Sequence, residues 1–248
     1  MASTSETGHA KNEANFRSLT AFASSYGADY NPSNGYIQLP ALQSLSQNAG
    51  NALLTVNSTL SDFKKAAGNR RTAFAPLNIL STRILNALMS SGADENLVAN
   101  AKTLVHKIKG ERITPRLTEE EKAALKAEGK ESNESSSSQL SFDNRLDNFD
   151  KLVKLLGTAT EYKPNEPELQ LTSLSALYTI MYNCNQAVID ITAVLSQARV
   201  SRNEIFYSPL TGLFEVATTA KKYVKSLYGA GSERYRQVAG IIFTDYSA

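Results

Sequence analysis

Two histidines, His9 and His106, and one cysteine, Cys184, are the side chains best suited to metal binding or nucleophilic chemistry. A metal site needs several converging ligands, and neither histidine has another histidine or a cysteine three or four residues away. Cys184 falls within an apolar helical pattern, where a cysteine packs as a small hydrophobic residue. We therefore predict no metal site, and we interpret these three residues as surface or packing residues.

The motifs that usually accompany catalysis are missing from the sequence. There is no glycine-rich phosphate loop, no Gly-x-Ser-x-Gly elbow and no set of two Glu-x-x-His motifs such as di-iron bundles use. The acidic run at 119–121 follows Thr118, and a helix capping box explains it. We predict no catalytic residues, no cofactor and no enzymatic activity.

Tyrosines are concentrated in the second half of the chain. Tyrosine is favoured at contact surfaces because it buries a large area and keeps a polar tip. Two interpretations stay open: these rings pack inside the protein, or they form a surface that contacts another chain. The candidate interaction residues are Tyr178, Tyr182, Tyr207, Tyr223, Tyr228 and Tyr235, and the first two share one helix face because they are four residues apart.

The elements that would carry these residues recur along the chain. A fixed offset between similar segments indicates a duplicated structural unit. We predict a polar tail at 1–11, an N-terminal repeat at 12–109, a linker at 110–141 and a C-terminal repeat at 142–248. Within the linker we predict a short helix over 118–128 and a serine-rich stretch. The residues that recur 132 positions later are Tyr30, Pro32, Gln38, Leu39, Leu42 and Leu45, matched by Tyr162, Pro164, Gln170, Leu171, Leu174 and Leu177.

Each repeat is predicted to contain a short helix, a long helix, a proline corner and two shorter helices. Apolar residues in the long helices alternate at steps of four and three, which is the a/d pattern of a heptad. The two series are Leu45, Ala49, Ala52, Val56, Thr59, Phe63 and Ala66, and Leu177, Met181, Cys184, Val188, Ile191, Leu195 and Ala198. The short strand candidates at 36–39 and 241–243 have no hairpin partner. The predicted fold is an all-α, tandem duplicated helical bundle.

The apolar pattern also predicts helix boundaries and inward-facing residues. The first helix is predicted over 12–26 and the last over 233–243. Leu210 and Leu213 are matched with Leu77 and Leu80 as inward-facing residues. Pro76 and Pro209 either end the long helices or kink them, and both readings stay open.

Composition excludes some classes of protein. Charged residues make up 20% of the chain, the net charge is +2, and no segment has the dense lysine and arginine content of a nucleic-acid binder. No run of about 18 apolar residues predicts a membrane span. The first residues lack the pattern of a classical signal peptide, which favours a cytoplasmic location and leaves export without a signal open.

The leading hypothesis is a non-enzymatic structural or protein–protein interaction protein. Its expected partner is a second copy of itself or another helical protein, and neither nucleic acid nor a membrane is expected. One alternative is a membrane-active helical protein such as a pore-forming toxin component, for which Ile205–Tyr228 is the best amphipathic candidate. Another alternative is a ligand-binding helical bundle with a pocket between the two predicted repeats.

Overall fold

The computed structural model describes residues 8–111 and 140–246. The predicted helix at 118–128 and the serine-rich stretch lie outside the described residues. Within them the structure contains α-helices and short 3₁₀ helices and no strand, which confirms the predicted all-α class. The α-helices are α1 (His9–Ser25), α2 (Leu39–Phe74), α3 (Leu77–Ser90), α4 (Glu95–Lys109), α5 (Phe142–Gly157), α6 (Leu171–Tyr207), α7 (Leu213–Tyr228) and α8 (Glu233–Ala239). The 3₁₀ helices are Gly27–Asp29, Gly35–Ile37 and Pro167–Leu169.

The long helices α2 and α6 have 36 and 37 residues. All the predicted heptad positions are buried or half-buried, and none is exposed. The most buried are Ala49, Met181, Leu195, Val188, Val56 and Thr59. The heptad pattern therefore predicted the inward face of both helices correctly.

The proline corners separate helices rather than kink them. α2 ends at Phe74, and Pro76 is the N-cap of α3. α6 ends at Tyr207, and α7 begins only at Leu213, after a turn in which the Gly212 N–H donates to the Ser208 carbonyl at 2.8 Å.

The longer second corner overturns one predicted match. Leu210 has a positive φ of 66° and is 72% exposed, so it does not face inward. Leu213, which is fully buried, takes the place that Leu77 has in α3. The prediction failed because it aligned the two prolines and did not allow for extra residues between the corner and the helix.

Two helix ends also differ from the prediction. α1 begins at His9, inside the segment assigned to the polar tail. α8 stops at Ala239 instead of 243, because the carbonyls that follow are bound by side chains of other helices. α4 starts at Glu95, directly after its N-cap Asp94, whose carboxylate accepts from the Asn96 and Leu97 N–H groups.

The structure divides into two compact units. The first compact unit comprises Met1–Lys64 with Ile191–Ala248, and the second comprises Lys65–Asp190. Each therefore draws elements from both predicted repeats. The repeats are a statement about the sequence, and the duplication stays a prediction.

Each compact unit has its own hydrophobic core. In the first unit, α1, α7, α8 and parts of α2 and α6 bury Phe16, Leu19, Leu42, Phe206, Leu213 and Val224. In the second unit, α3, α4, α5 and parts of α2 and α6 bury Phe74, Leu77, Ile84, Leu88, Phe149, Leu152, Leu156 and Leu174. Because burying one such side chain contributes about 1.5–3 kcal/mol, these cores are the main source of stability in each unit.

Candidate functional site

Two pairs of tyrosine rings pack edge-on in the first compact unit. The Tyr30 and Tyr223 rings have centroids 5.2 Å apart at 89°, and the Tyr26 and Tyr228 rings have centroids 5.4 Å apart at 71°. The Tyr223 hydroxyl accepts a hydrogen bond from the Asn31 backbone N–H at 3.2 Å. T-shaped aromatic pairs contribute about 0.5–1.5 kcal/mol beyond their burial. These contacts hold α7 against the loop that follows α1.

A charged pair lies beside Tyr228. Arg234 places its guanidinium 4.7 Å from the Tyr228 ring centroid and its Nη1 2.7 Å from Asp29 Oδ2. The Tyr26 hydroxyl donates to the Arg234 carbonyl at 2.8 Å, and burial raises the pKa of Tyr26. Since Asp29 and Arg234 are both exposed, the ion pair adds little stability. The arrangement fixes α8 in place.

The other candidate tyrosines are divided between the units. Tyr207 and Tyr235 are half-buried against the first core. In the second unit the Tyr178 and Tyr182 rings stack with centroids 6.3 Å apart, as their predicted common helix face requires. Tyr178 packs on the core, whereas Tyr182 is 46% exposed. The packing interpretation therefore describes five of the candidates, and the role of the six in contacts with a partner stays a prediction.

His9 lies among aromatic rings. Its ring centroid is 5.5 Å from those of Phe206 and Tyr246 and 5.7 Å from that of Tyr207. The pKa of His9 is lowered, mainly because burial disfavours the charged form and secondly because of the nearby Arg202 charge. The residue is thus a packing group at the start of α1.

The extended segment after α8 lies along α1. Asn12, which is only 2% exposed, donates from Nδ2 to the Thr244 carbonyl at 2.6 Å and accepts from the Thr244 N–H at 3.0 Å. Asn15 Nδ2 donates to the Ile242 carbonyl at 2.6 Å. Lys221 Nζ donates to the Ile241 carbonyl at 2.8 Å, and burial lowers its pKa. Because side chains supply these partners, the backbone leaves the helix after Ala239.

The residues that the sequence marked for possible chemistry do not come together. His106 is half-buried on α4 with Nδ1 3.2 Å from Glu111 Oε2, and Cys184 is half-buried on α6. No group of three or more metal-ligating side chains occurs among residues 8–111 and 140–246. In the same residues no helix has the length and apolar content to cross a membrane. The apolar face of α7, inside the membrane candidate at 205–228, is buried in the first core.

Comparison of the chain with protein-family models, with curated proteins and with solved structures finds no match.

An apolar groove runs between α2 and α6 in the first compact unit and has a volume of about 570 Å³. Its apolar residues are Ala52 on α2 and Val194, Ala198 and Ile205 on α6. The remaining lining consists of Asn48, Asn51, Thr55, Gln197 and Ser201, so none of the lining residues is charged. We call this feature the α2/α6 groove.

Part of this groove was visible in the sequence. Ala52 and Ala198 are both heptad positions, and a small residue at such a position leaves space where a leucine would fill it. The sequence did not show that these alanines line one groove, because nothing in the heptad pattern states which stretch of α2 faces which stretch of α6. The sequence pattern did not mark Val194, and it marked Ile205 only as the first residue of the membrane candidate at 205–228.

Proposed function

We propose that this protein is a non-enzymatic interaction protein, and that its α2/α6 groove receives an amphipathic helix of another protein chain. The observation that carries the proposal is the lining, which is uncharged and includes four apolar side chains. A groove of this composition binds through packing, and its lining contains no acid or base that could activate the hydroxyls of Thr55 and Ser201.

The spacing of the lining residues favours a helix as the occupant. On α2, Asn48, Ala52 and Thr55 follow steps of four and three, and α6 uses the same steps from Val194 through Ala198 to Ser201. Two walls with this spacing form holes that accept side chains at the a and d positions of a third helix. The small side chains of Ala52 and Ala198 permit close approach.

A second copy of this chain is the partner we favour. With only 20% charged residues, two copies repel each other weakly. Val194 is 54% exposed at the groove and would be covered by a bound helix.

Light scattering coupled to size-exclusion chromatography tests the proposal over a series of concentrations. The wild-type mass should rise toward that of a dimer, and Val194→Glu should remain a monomer because it places a charge in the groove. Val200→Glu is the matched control, since Val200 is a 47% exposed residue of the same helix outside the groove lining. It should associate like the wild type.

A monomer at every concentration would contradict association between copies. Cross-linking in a cell extract, with Val194→Glu as the negative, would then test for a different helical partner. Equal loss of association in both variants would contradict the role of the groove.

A further inference from the structure

The two compact units share a local arrangement that we call a frame. In each frame a buried tyrosine donates its hydroxyl hydrogen to a carbonyl of the 3₁₀ helix that follows it. The Tyr30 hydroxyl donates to the Ile37 carbonyl at 2.8 Å, and the Tyr162 hydroxyl donates to the Leu169 carbonyl at 2.9 Å. Both rings are buried, and burial raises the pKa of each phenol, in Tyr162 to about 12. In each unit the bonded carbonyl belongs to a 3₁₀ helix, and that 3₁₀ helix packs on α7 in the first unit and on α3 in the second.

The helices that face these frames are also in matching register. Leu77, Ile84 and Leu88 of α3 are fully buried, and Leu213, Ala220 and Val224 of α7 are buried at the same spacing. Ala87 directly precedes Leu88, and Tyr223 directly precedes Val224. Ala87 therefore occupies in α3 the position that Tyr223 occupies in α7.

The difference between these two side chains leaves a space in the second unit. In the first unit the Tyr223 ring packs edge-on against Tyr30, and its hydroxyl accepts from the Asn31 N–H. In the second unit a pocket of about 610 Å³ is lined by Ala87 and Tyr162 together with the loop from 163 to 166. The alanine methyl group cannot fill the volume that a phenol ring fills in the matching position.

The second unit also has a backbone N–H that matches the Asn31 donor of the first unit. Asn31 follows Tyr30, and Lys163 follows Tyr162 in the same way. Among the described residues the structure records no acceptor for the Lys163 backbone N–H. A hydroxyl on a ring placed like that of Tyr223 would lie where this N–H can donate to it.

The charges around the pocket favour a neutral ligand. Its lining contains the cations Arg83 and Lys163 and the anions Glu161 and Glu166, so the two signs balance. Arg83 is also paired with Glu168 through a contact of 2.8 Å between Nη2 and Oε1. A carboxylate or phosphate ligand would gain no net attraction here, whereas an uncharged phenol needs none.

We propose that the pocket beside Tyr162 binds a phenol ring, either a small phenolic compound or the tyrosine side chain of a polypeptide, in the position that Tyr223 occupies beside Tyr30. The ring packs edge-on against Tyr162 beside the Ala87 methyl group. Its hydroxyl accepts a hydrogen bond from the Lys163 backbone N–H. This site belongs to the second unit and is independent of the α2/α6 groove.

The test is a titration of the full-length ¹⁵N-labelled protein with p-cresol, followed by amide chemical shifts. We expect saturable shifts at Lys163 and Ala87 with a dissociation constant on the order of 1 mM. Toluene, which lacks the hydroxyl, should bind more weakly and shift the Lys163 amide less than p-cresol does. No saturable shift at these residues would overturn the proposal.

Two substitutions decide where binding occurs. Ala87→Tyr fills the pocket and should weaken p-cresol binding by about tenfold or more. Met89→Tyr is its matched control, because Met89 is a 58% exposed residue of α3 outside the pocket lining, and it should bind like the wild type. Binding that persists in Ala87→Tyr would overturn the proposal, and far-UV circular dichroism establishes that the variant is folded.

Tyr223→Ala supplies a gain-of-function test. It removes the ring from the first unit and should create a second p-cresol site, with new shifts at Asn31. Failure of a folded Tyr223→Ala protein to bind there would contradict the use of Tyr223 as the template.

A blocked tripeptide Gly-Tyr-Gly then distinguishes a polypeptide tyrosine from a small phenolic compound as the ligand. Tighter binding than p-cresol supports a polypeptide ligand, and equal or weaker binding supports a small phenol.

Discussion

The surroundings of Tyr30 and Tyr162 differ mainly in one neighbouring side chain. Beside Tyr30 the protein fills the space with its own Tyr223, whereas beside Tyr162 it has Ala87 and an open pocket. The buried tyrosine, its hydrogen bond to a 3₁₀ helix and the facing α-helix are alike in both places. The comparison teaches that both units need the buried tyrosine and its hydrogen bond for packing. One side chain on the facing helix decides whether the space beside that tyrosine is filled or left as a pocket for a ligand.

The largest expected effect concerns the cores that hold the two frames. Phe16 in α1 and Phe149 in α5 are both fully buried. Phe16→Ala and Phe149→Ala should each lower the free energy of unfolding by about 3–5 kcal/mol, because each leaves a ring-sized cavity. Urea denaturation followed by circular dichroism measures both. Leu210→Ala, at a 72% exposed residue, is the control and should change stability by less than about 0.5 kcal/mol.

Clearly unequal losses in the two phenylalanine variants would break the comparison, because they would show that the two cores tolerate the same cavity differently.

The next effect concerns the side chain that distinguishes the frames. Tyr223→Ala should cost about 2 kcal/mol, less than a fully buried ring, since Tyr223 is only half-buried. Ala87→Tyr should change stability by less than about 1 kcal/mol, because the new ring enters an open pocket instead of a filled core. The same denaturation experiment measures these changes. A loss of several kcal/mol in Ala87→Tyr would contradict an open pocket at that position.

A smaller effect tests the hydrogen bond that both frames share. Tyr30→Phe and Tyr162→Phe each remove a hydroxyl that donates to a carbonyl, at 2.8 Å and 2.9 Å. Each substitution should cost about 1 kcal/mol, because the carbonyl loses its partner and the ring is kept. Denaturation midpoints measure the losses. A loss of stability in only one variant would mean that the two hydrogen bonds have the same geometry and contribute differently to the free energy of unfolding.

The smallest effect is a pH dependence that arises from His9 in the first unit. The pKa of His9 is lowered in the folded state from its ordinary value of 6.5 by burial and by Arg202, while a hydrogen bond with Asn203 acts in the opposite direction. Tyr207 and Tyr246 also face the ring.

The sign of this dependence follows from proton binding. Below pH 6.5 the His9 side chain binds a proton in the unfolded chain, whereas in the folded chain it stays neutral until a lower pH. The His9 contribution should therefore be constant above that pH, decline as the pH falls through it, and level off below the folded-state pKa. His9→Phe should flatten this part of a melting-temperature profile. A wild-type profile without any decline below pH 6.5 would contradict the assignment.

The sequence predicted the helices well because hydrophobic periodicity is a local property. The series from Leu45 to Ala66 and from Leu177 to Ala198 identified the buried faces of α2 and α6. Helix ends were less predictable. α8 stops at Ala239 because Asn12 and Asn15, which are distant in sequence, and Lys221 on the preceding helix bind the backbone that follows.

The candidate sites were harder to predict, since they depend on contacts between distant segments. Sequence spacing placed Tyr178 and Tyr182 on one face, and their rings do stack. It could not show that the Tyr223 ring contacts the Tyr30 ring, because that pair forms only when α7 packs on a loop that is distant in sequence. The pocket beside Tyr162 was not predicted for the same reason. An alanine such as Ala87 indicates a pocket only when the structure shows that it lies beside Tyr162.

The division of the chain into compact units has a consequence for synthesis on the ribosome. Lys65–Asp190 is one continuous stretch, so all of the second unit emerges in order and can fold as it is made. The first unit joins Met1–Lys64 to Ile191–Ala248, and its earliest helix must wait for its partners. At about 5–20 residues per second, that wait lasts on the order of ten seconds. During it, Phe16 and Leu19 are the apolar groups that a chaperone would be expected to cover.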